Sequence, residues 1–343
     1  MKVLVTGASG MLGAAVARTL AERGDDVTLM QRRPAGLDLR EVLGDVADPD
    51  AVRRAVSGRD AVVHLAARVN VTGAWTEFER ANVTGTGSVV AGCLAEEVGR
   101  LVYVSTPSVA HLGASLVGVS AGPADPTRAR GNYARSKAMA EQLALAAAGD
   151  LAVVAIRPHL VWGPGDTQLV GRLVQRARAG RLPIIGSGAA LVDTTYVSNA
   201  ADALVAALDR CDEVSGQALV VSNGEPRPVA ELLADICAAA GVPAPSRHIS
   251  PRVASVVGSI AEAVWSSPLP SGRSARVSQD PPITRFVAEQ LSTAHWFDQR
   301  QTRAALGWTP RLTLGEGLVE LARWYAEQPA GAAGSILGGR GSS

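Results

Sequence analysis

The run Thr6-Gly7-Ala8-Ser9-Gly10-Met11-Leu12-Gly13 constrains this chain more than any other stretch. It follows an apolar, β-branched segment at residues 2–6 and leads into a helical pattern over residues 12–22. Glycine at 7 permits a tight turn, at 10 it lets backbone amides approach a pyrophosphate, and at 13 it lets the helix pack close to the sheet. The helix N-terminus adds a dipole that favours an anion. Ser9, Met11 and Leu12 complete the turn, so all six positions from Gly7, Ser9 and Gly10 through Met11, Leu12 and Gly13 are candidate dinucleotide contacts.

Residues 27–30, 61–65, 101–105 and 152–156 read as further strands, and 84–97 as a further helix. Strict alternation of strand and helix predicts an α/β fold: a doubly wound Rossmann sheet, parallel, with helices on both faces and right-handed crossovers. Residues 1–160 form the expected dinucleotide-binding domain. After Arg157-Pro158 the texture changes to a Gly163-Pro164-Gly165 loop, a helix over 168–179 and short elements between Pro- and Gly-rich turns. Residues 161–328 therefore read mainly as a smaller substrate lobe, with elements around 194–208 and 218–222 returning to the main sheet. The Gly-, Ala- and Ser-rich residues 329–343 read as a disordered tail.

Charge narrows the partners. The 33 Lys and Arg nearly cancel the 32 Asp and Glu, so no field recruits nucleic acid, and a small-molecule partner is expected. Three cysteines with no paired or metal-ligand spacing point to a reducing cytoplasm. The amino terminus has no signal-peptide pattern, and the apolar stretch 253–264 falls well short of the roughly 20 residues of a membrane-spanning helix. His64, His111, His159 and His295 show no metal spacing, and no metal is expected.

Where an NAD binder usually places an acidic residue at the end of its second strand, this chain has Gln31-Arg32-Arg33. Two guanidinium groups there suit a 2′-phosphate, so NADP(H) is favoured over NAD(H); solvated surface charge is the other reading. Gly44-Asp45-Val46 offers Asp45 and Val46 to the adenine side, and Leu65-Ala66-Ala67 ends the next strand with small residues.

Tyr133 and Lys137 stand four positions apart, on one face of a helix. An ammonium so placed is expected to lower the phenol's pKa and let Tyr133 exchange a proton with a substrate oxygen. Ser105-Thr106, ending the preceding strand, supplies a hydroxyl for the same oxygen.

Together these residues resemble the extended short-chain dehydrogenase/reductase family, of the NAD-dependent epimerase/dehydratase type, from the first strand to about Trp324. The resemblance implies a triad of Thr106, Tyr133 and Lys137, with Lys137 also on the nicotinamide ribose. It implies Asn82 as the family's structural asparagine beside the cofactor. In Arg157-Pro158-His159-Leu160-Val161-Trp162-Gly163-Pro164, it implies that the backbone of Pro158, Leu160 and Val161 meets the nicotinamide carboxamide. Asp193, Tyr196, Asn199 and Leu306-Gly307-Trp308 match later family stretches.

Within the family the chain is most similar to the bacterial 3β-hydroxysteroid dehydrogenase-like and β-keto acid reductase branch. Pro107-Ser108-Val109-Ala110-His111 lacks the tyrosine and glycine of sugar epimerases, no acidic pair follows Thr106, and Val192 stands where sugar-nucleotide enzymes carry an arginine. A small apolar ketone or alcohol is the expected substrate, with Ser108, His159 and Trp162 near it. Residues 251–264 and 281–286, with Trp265, read as pocket lining or lid, or equally as lobe core, a homodimer face or a membrane contact. A sugar-nucleotide epimerase or dehydratase and a non-catalytic cofactor sensor are the alternatives carried forward.

Overall fold

Strand and helix alternate along the first half of the chain in the computed structural model, which describes residues 1–70, 73–111, 113–254 and 292–328. β1 (Lys2–Thr6), α1 (Met11–Glu22), β2 (Asp26–Gln31), β3 (Arg40–Leu43), α2 (Pro49–Val56) and β4 (Ala61–His64) come first. A short α3 (Trp75–Phe78), a π-helical stretch at Glu79–Thr84, α4 (Gly85–Ala95) and β5 (Arg100–Val104) follow. A 3-10 turn at Pro107–Ala110, β6 (Leu116–Val119), α5 (Gly131–Leu145) and β7 (Ala152–Pro158) complete this half.

The second half contains β8 (Val161–Trp162), α6 (Val170–Arg178), β9 (Ile184–Ile185), β10 (Leu191–Val192), β11 (Thr195–Tyr196), α7 (Val197–Asp209) and β12 (Ala218–Val221). It ends with β13 (Arg227–Pro228), α8 (Val229–Ala239), β14 (His248–Ile249), β15 (His295–Phe297), α9 (Arg300–Leu306) and α10 (Leu314–Glu327).

Seven strands form the main sheet in the order β3-β2-β1-β4-β5-β7-β12, every pair parallel. The chain winds outward one way from β1 and the other way from β4, so the crevice between them is the switch point where such sheets bind ligands. Helices α1 and α7 cover one face; α2, α4 and α5 cover the other. Val3, Leu4, Val5, Val62, Val63, Leu101 and Val102 are consequently fully buried, which explains why these strands read as apolar runs rather than alternating ones.

Ends of helices follow local chemistry. Asp48 caps α2 by accepting from the amides of Asp50 and Ala51, with Pro49 at the first helical position. Thr313 and Glu316 close a reciprocal capping box on α10.

The smaller lobe combines the four-stranded sheet β13-β10-β15-β6 with α6, α8 and α10 around Trp162, Leu173, Tyr196, Leu233, Ile236 and Leu321. Two expected return elements behave differently. Residues 218–221 join the main sheet beside β7, whereas residues 197–209 form α7, which lies on the sheet's face against α1 rather than in it. Of the expected lid, only residues 251–254 are described; Ala254 packs on Ile185 and Ile249. Residues 264–265 and 281–286, and the tail at 329–343, lie outside the described residues. Among the described residues, no helix is long and apolar enough to cross a membrane.

Candidate active site

The glycine loop is built as its sequence requires. Gly7 has φ +79, and a Cβ there would lie 2.8 Å from the Ala66 amide nitrogen. A Cβ on Gly13 would lie 2.4 Å from the Gly7 carbonyl oxygen, so both close approaches demand glycine. Gly10 caps α1 and brings no side-chain acceptor, which leaves the first amides of the helix open to a ligand. Gly7, Ser9, Gly10, Met11, Leu12 and Gly13 all line one cavity of about 780 Å³, joined by Leu65 and Ala67. Ala66 sits behind that wall, its amide donating to Thr6 Oγ1 at 3.1 Å. This cradle fits a dinucleotide pyrophosphate: small, amide-rich, at a helix N-terminus and at the switch point.

Other expected cofactor residues lie outside the cavity wall. Gln31 is buried, with its carboxamide on Glu41, whose carboxylate also takes the Ala35 amide at 2.9 Å. Arg32 and Arg33 are exposed beyond the end of β2. Asp45 pairs with Arg80 at 2.9 Å and accepts from the Ala47 amide, and Val46 packs in the core beneath α2. Asn82 is buried and bridges the Arg68 backbone to Ser136: it accepts from the Arg68 amide at 2.7 Å and donates to Ser136 Oγ at 2.9 Å. Its role in the structure is to tie the loop after β4 to the helix carrying Tyr133 and Lys137.

Tyr133, Lys137, Thr106 and Ser108 line the same cavity as the glycine loop. Thr106 follows β5 by two residues in extended conformation, and its hydroxyl caps the following turn, accepting from the Ser108 amide at 3.3 Å. Lys137 is buried; its Nζ donates to the Val104 carbonyl at 2.6 Å and sits 4.3 Å from the centre of the Tyr103 ring. Burial pulls the Lys137 ammonium down to about 7, with the Glu141 carboxylate opposing. Burial also pushes the Tyr133 phenol up to about 12, opposed by its hydrogen bond with Thr106. The phenol thus lies above its ordinary value where a depression by Lys137 was expected: burial raises it, and the ammonium is turned to the Val104 carbonyl.

Sequence reasoning missed Glu141. One helical turn past Lys137, it forms a fully buried double contact with Arg157, at 2.9 and 2.5 Å, while Arg157 Nη1 donates to the Gly122 carbonyl at 2.7 Å. The pair clamps α5 to β7. An i,i+4 acidic partner after Lys137, facing an arginine in a strand, was the available signal.

His159 and Trp162 also line the cavity, as do Pro158, Leu160 and Val161. The Trp162 indole donates to Thr194 Oγ1 at 2.8 Å and its ring is fully buried against Tyr196, so it is as much lobe core as wall. Asn199, named on resemblance, ties α7 to the loop before α10, donating to the Leu312 carbonyl and accepting from the Arg311 and Leu312 amides. The far wall, unread in the sequence, carries Leu169 before α6 and Leu173 within it, Leu182 and Ile185, and Leu232 and Ile236 from α8, with Arg172, Arg176 and Arg181 beside them. The helical spacings Leu169/Leu173 and Leu232/Ile236 were visible, but core packing gives the same pattern.

A glycine cradle at the switch point, with a hydroxyl, a phenol and an ammonium converging beside it, defines a Rossmann oxidoreductase of the nicotinamide-dependent kind. The chain belongs to the NAD dependent epimerase/dehydratase family, whose profile matches residues 3–222. It is 43% identical over 337 residues to the 2-alkyl-3-oxoalkanoate reductase of Stenotrophomonas maltophilia, covering 94% of this chain and 98% of that one. It is 28% identical to a 3-beta-hydroxysteroid dehydrogenase of Mycolicibacterium neoaurum, covering 95% and 92%. Among solved structures, MoeE5 in complex with UDP-glucuronic acid and NAD superposes with a TM-score of 0.72 at 27% identity, covering 95% of this chain and 99% of that one.

Proposed function

We propose that this enzyme reduces the ketone of a 2-alkyl-3-oxoalkanoate, a β-keto acid with long alkyl chains, using NADPH. One observation carries the reading: a single cavity joins the glycine cradle and the Thr106–Tyr133–Lys137 group to a wall of Leu169, Leu173, Leu182, Ile185, Leu232 and Ile236. Alkyl chains bury well against such a wall. The 43% identity to a reductase of this name over nearly the full length supports the same substrate class.

A reduced nicotinamide supplies the hydride. Gly7, Ser9, Gly10, Met11, Leu12 and Gly13 would hold the pyrophosphate, Leu65 and Ala67 would line the nucleotide's path, and Pro158, Leu160 and Val161 would border the nicotinamide. Tyr133 gives its phenolic proton to the ketone oxygen as that oxygen gains charge, while the Thr106 hydroxyl donates a hydrogen bond to the same atom. A phenol pushed up to about 12 is protonated throughout the neutral range, which suits proton donation to the ketone oxygen. Lys137 is the cation beside both. Arg32 and Arg33 are exposed at the end of β2, where they would meet the 2′-phosphate of a bound NADP(H), and this favours that cofactor. The buried, free thiols Cys93, Cys211 and Cys237 fit a reducing cytoplasm.

The test is NADPH oxidation by 2-alkyl-3-oxo acids, steroid ketones and UDP-sugars in parallel. Turnover of the β-keto acid above the others supports the reading; conversion of a UDP-sugar without net NADPH oxidation overturns it.

A further inference from the structure

We infer that the part of the cavity between α6 and α8 is a slot for an alkyl chain of the substrate, and that Ile236 and Arg181 set the length of chain it holds. This rests on the β-keto acid reading above. Each helix lines the slot with one face. α8 contributes Val229, Leu232, Leu233 and Ile236, at i, i+3, i+4 and i+7. From the N-cap of α6 onward, Leu169, Arg172, Leu173 and Arg176 repeat that spacing, the leucines in one row and the arginines in the next. The leucine row belongs to the same apolar cluster as the face of α8.

The slot runs away from the reacting groups. Val104 is level with Ile156 on the adjacent strand, so Pro158 lies beside Thr106. From Pro158 the chain passes through Trp162 to α6, where Asp166 accepts from the amides of Gln168 and Val170 at 2.7 and 2.8 Å. α8 starts on the same side. The Val229 amide donates to the Ala190 carbonyl at 2.9 Å, next to β10. The residues that follow β10 are held against the same segment: Asp193 Oδ1 lies 2.6 Å from His159 Nδ1, and Thr194 Oγ1 accepts from the Trp162 indole at 2.8 Å. Each helix therefore leaves the reaction side, and seven residues later, at Arg176 and Ile236, each has risen about 10 Å.

The apolar wall stops there. Ala240, one turn beyond Ile236 on the same face, is buried but forms no part of the wall, and neither do Ala179 and Gly180 beyond Arg176. Arg181 stands at this end: it lines the cavity, is exposed, and its amide donates to the Arg176 carbonyl at 2.8 Å. A methylene that passes Ile236 leaves leucine and isoleucine for a guanidinium and water. Every methylene before that point is removed from water and adds affinity; every one after it adds none. The lined length corresponds to about eight methylenes of extended chain.

The experiment uses the full chain saturated with NADP⁺ and calorimetric titration with a homologous series of straight-chain fatty acids, beside NADPH oxidation by 3-oxo acids of the same lengths. Wild type gains about fourfold in affinity per added methylene and then levels off. Ile236→Trp moves the break to chains about four methylenes shorter, the length of one helical turn of wall. Arg181→Leu, which extends the apolar wall, moves the break to longer chains. Affinity that rises in wild type without a break, or a break that neither variant moves, overturns the inference. If Ile236→Trp does not melt cooperatively, Arg181→Leu, at an exposed position, decides: a break moved to longer chains supports the slot, and an unmoved break overturns it. A break with these shifts but no reduction of any 3-oxo acid strikes the reductase reading alone. Reduction of 3-oxo acids with no break strikes this inference alone.

Discussion

Lys137 on α5 donates its ammonium to the carbonyl of Val104 at 2.6 Å, two residues before Thr106 on the adjoining strand. This bond ties the helix that carries Tyr133 to the strand end that carries Thr106. The phenol and the hydroxyl, hydrogen-bonded to one another, consequently line one cavity together.

Removing the phenol's proton should remove the chemistry and little else. Tyr133→Phe is expected to lower turnover on the order of 10²–10⁴-fold, while NADPH affinity, read by fluorescence titration, stays within a few-fold of wild type. Retained turnover would assign the proton to another group.

The Glu141–Arg157 clamp predicts a stability effect rather than a chemical one. Glu141→Gln leaves a fully buried guanidinium without its counter-charge and should cost about 3–5 kcal/mol, read as a drop in the urea midpoint. A change within measurement error would show the pair to be dispensable.

Cofactor choice is expected to follow the exposed arginines. The double variant Arg32→Ala, Arg33→Ala should raise the Kd for NADPH by about tenfold or more and hardly move that for NADH, because a phosphate loses charge-assisted bonds of about 1.5–3 kcal/mol each. Equal effects on both dinucleotides would mean that these side chains only decorate the surface.

His64, at the end of β4, is expected to make the fold less stable in acid. It is buried between Thr6 Oγ1, 2.7 Å away, and Thr86 Oγ1, 3.1 Å away, and burial pulls its pKa from 6.5 down to about 3. Between these values the unfolded chain holds one more proton than the folded one. Stability from the neutral ring is therefore complete above pH 6.5 and falls as the pH drops, by about 1.4 kcal/mol per unit. In urea titrations between pH 7 and pH 5, His64→Gln should lose less stability than wild type; parallel slopes would exclude His64 as the source.

The two ends of the reaction were unequally legible in the sequence. Residues 2–13 declared strand, turn and helix because the steric demands on Gly7 and Gly13 are local, and no other residue satisfies them. Tyr133 and Lys137 were legible because a helix places positions four apart together. The strand at residues 40–43 and the helix at 49–56 went unread: the strand is only four residues long and half of them are charged, and the helix is only eight residues long. What local pattern could not reveal is pairing at a distance. Glu141 with Arg157, His159 with Asp193 and Asn82 with Ser136 are joined only by the packing of the sheet. The apolar wall from α6 and α8 was hidden for another reason, since leucines facing a ligand and leucines facing a core carry the same spacing.

The late return of the chain to its first domain has a practical meaning for anyone recombining this enzyme with its relatives. A fragment ending at residue 160 would lack β12, leaving β7 as an open edge with unpaired backbone groups, and would lack α7, baring the apolar surface that Leu204 and Leu208 share with Val16 and Leu20. Such a fragment is a candidate for aggregation, not a minimal cofactor-binding module. A chimera that exchanges substrate preference must therefore be spliced in at least two places, keeping residues 197–221 with the nucleotide half while replacing the segments on either side.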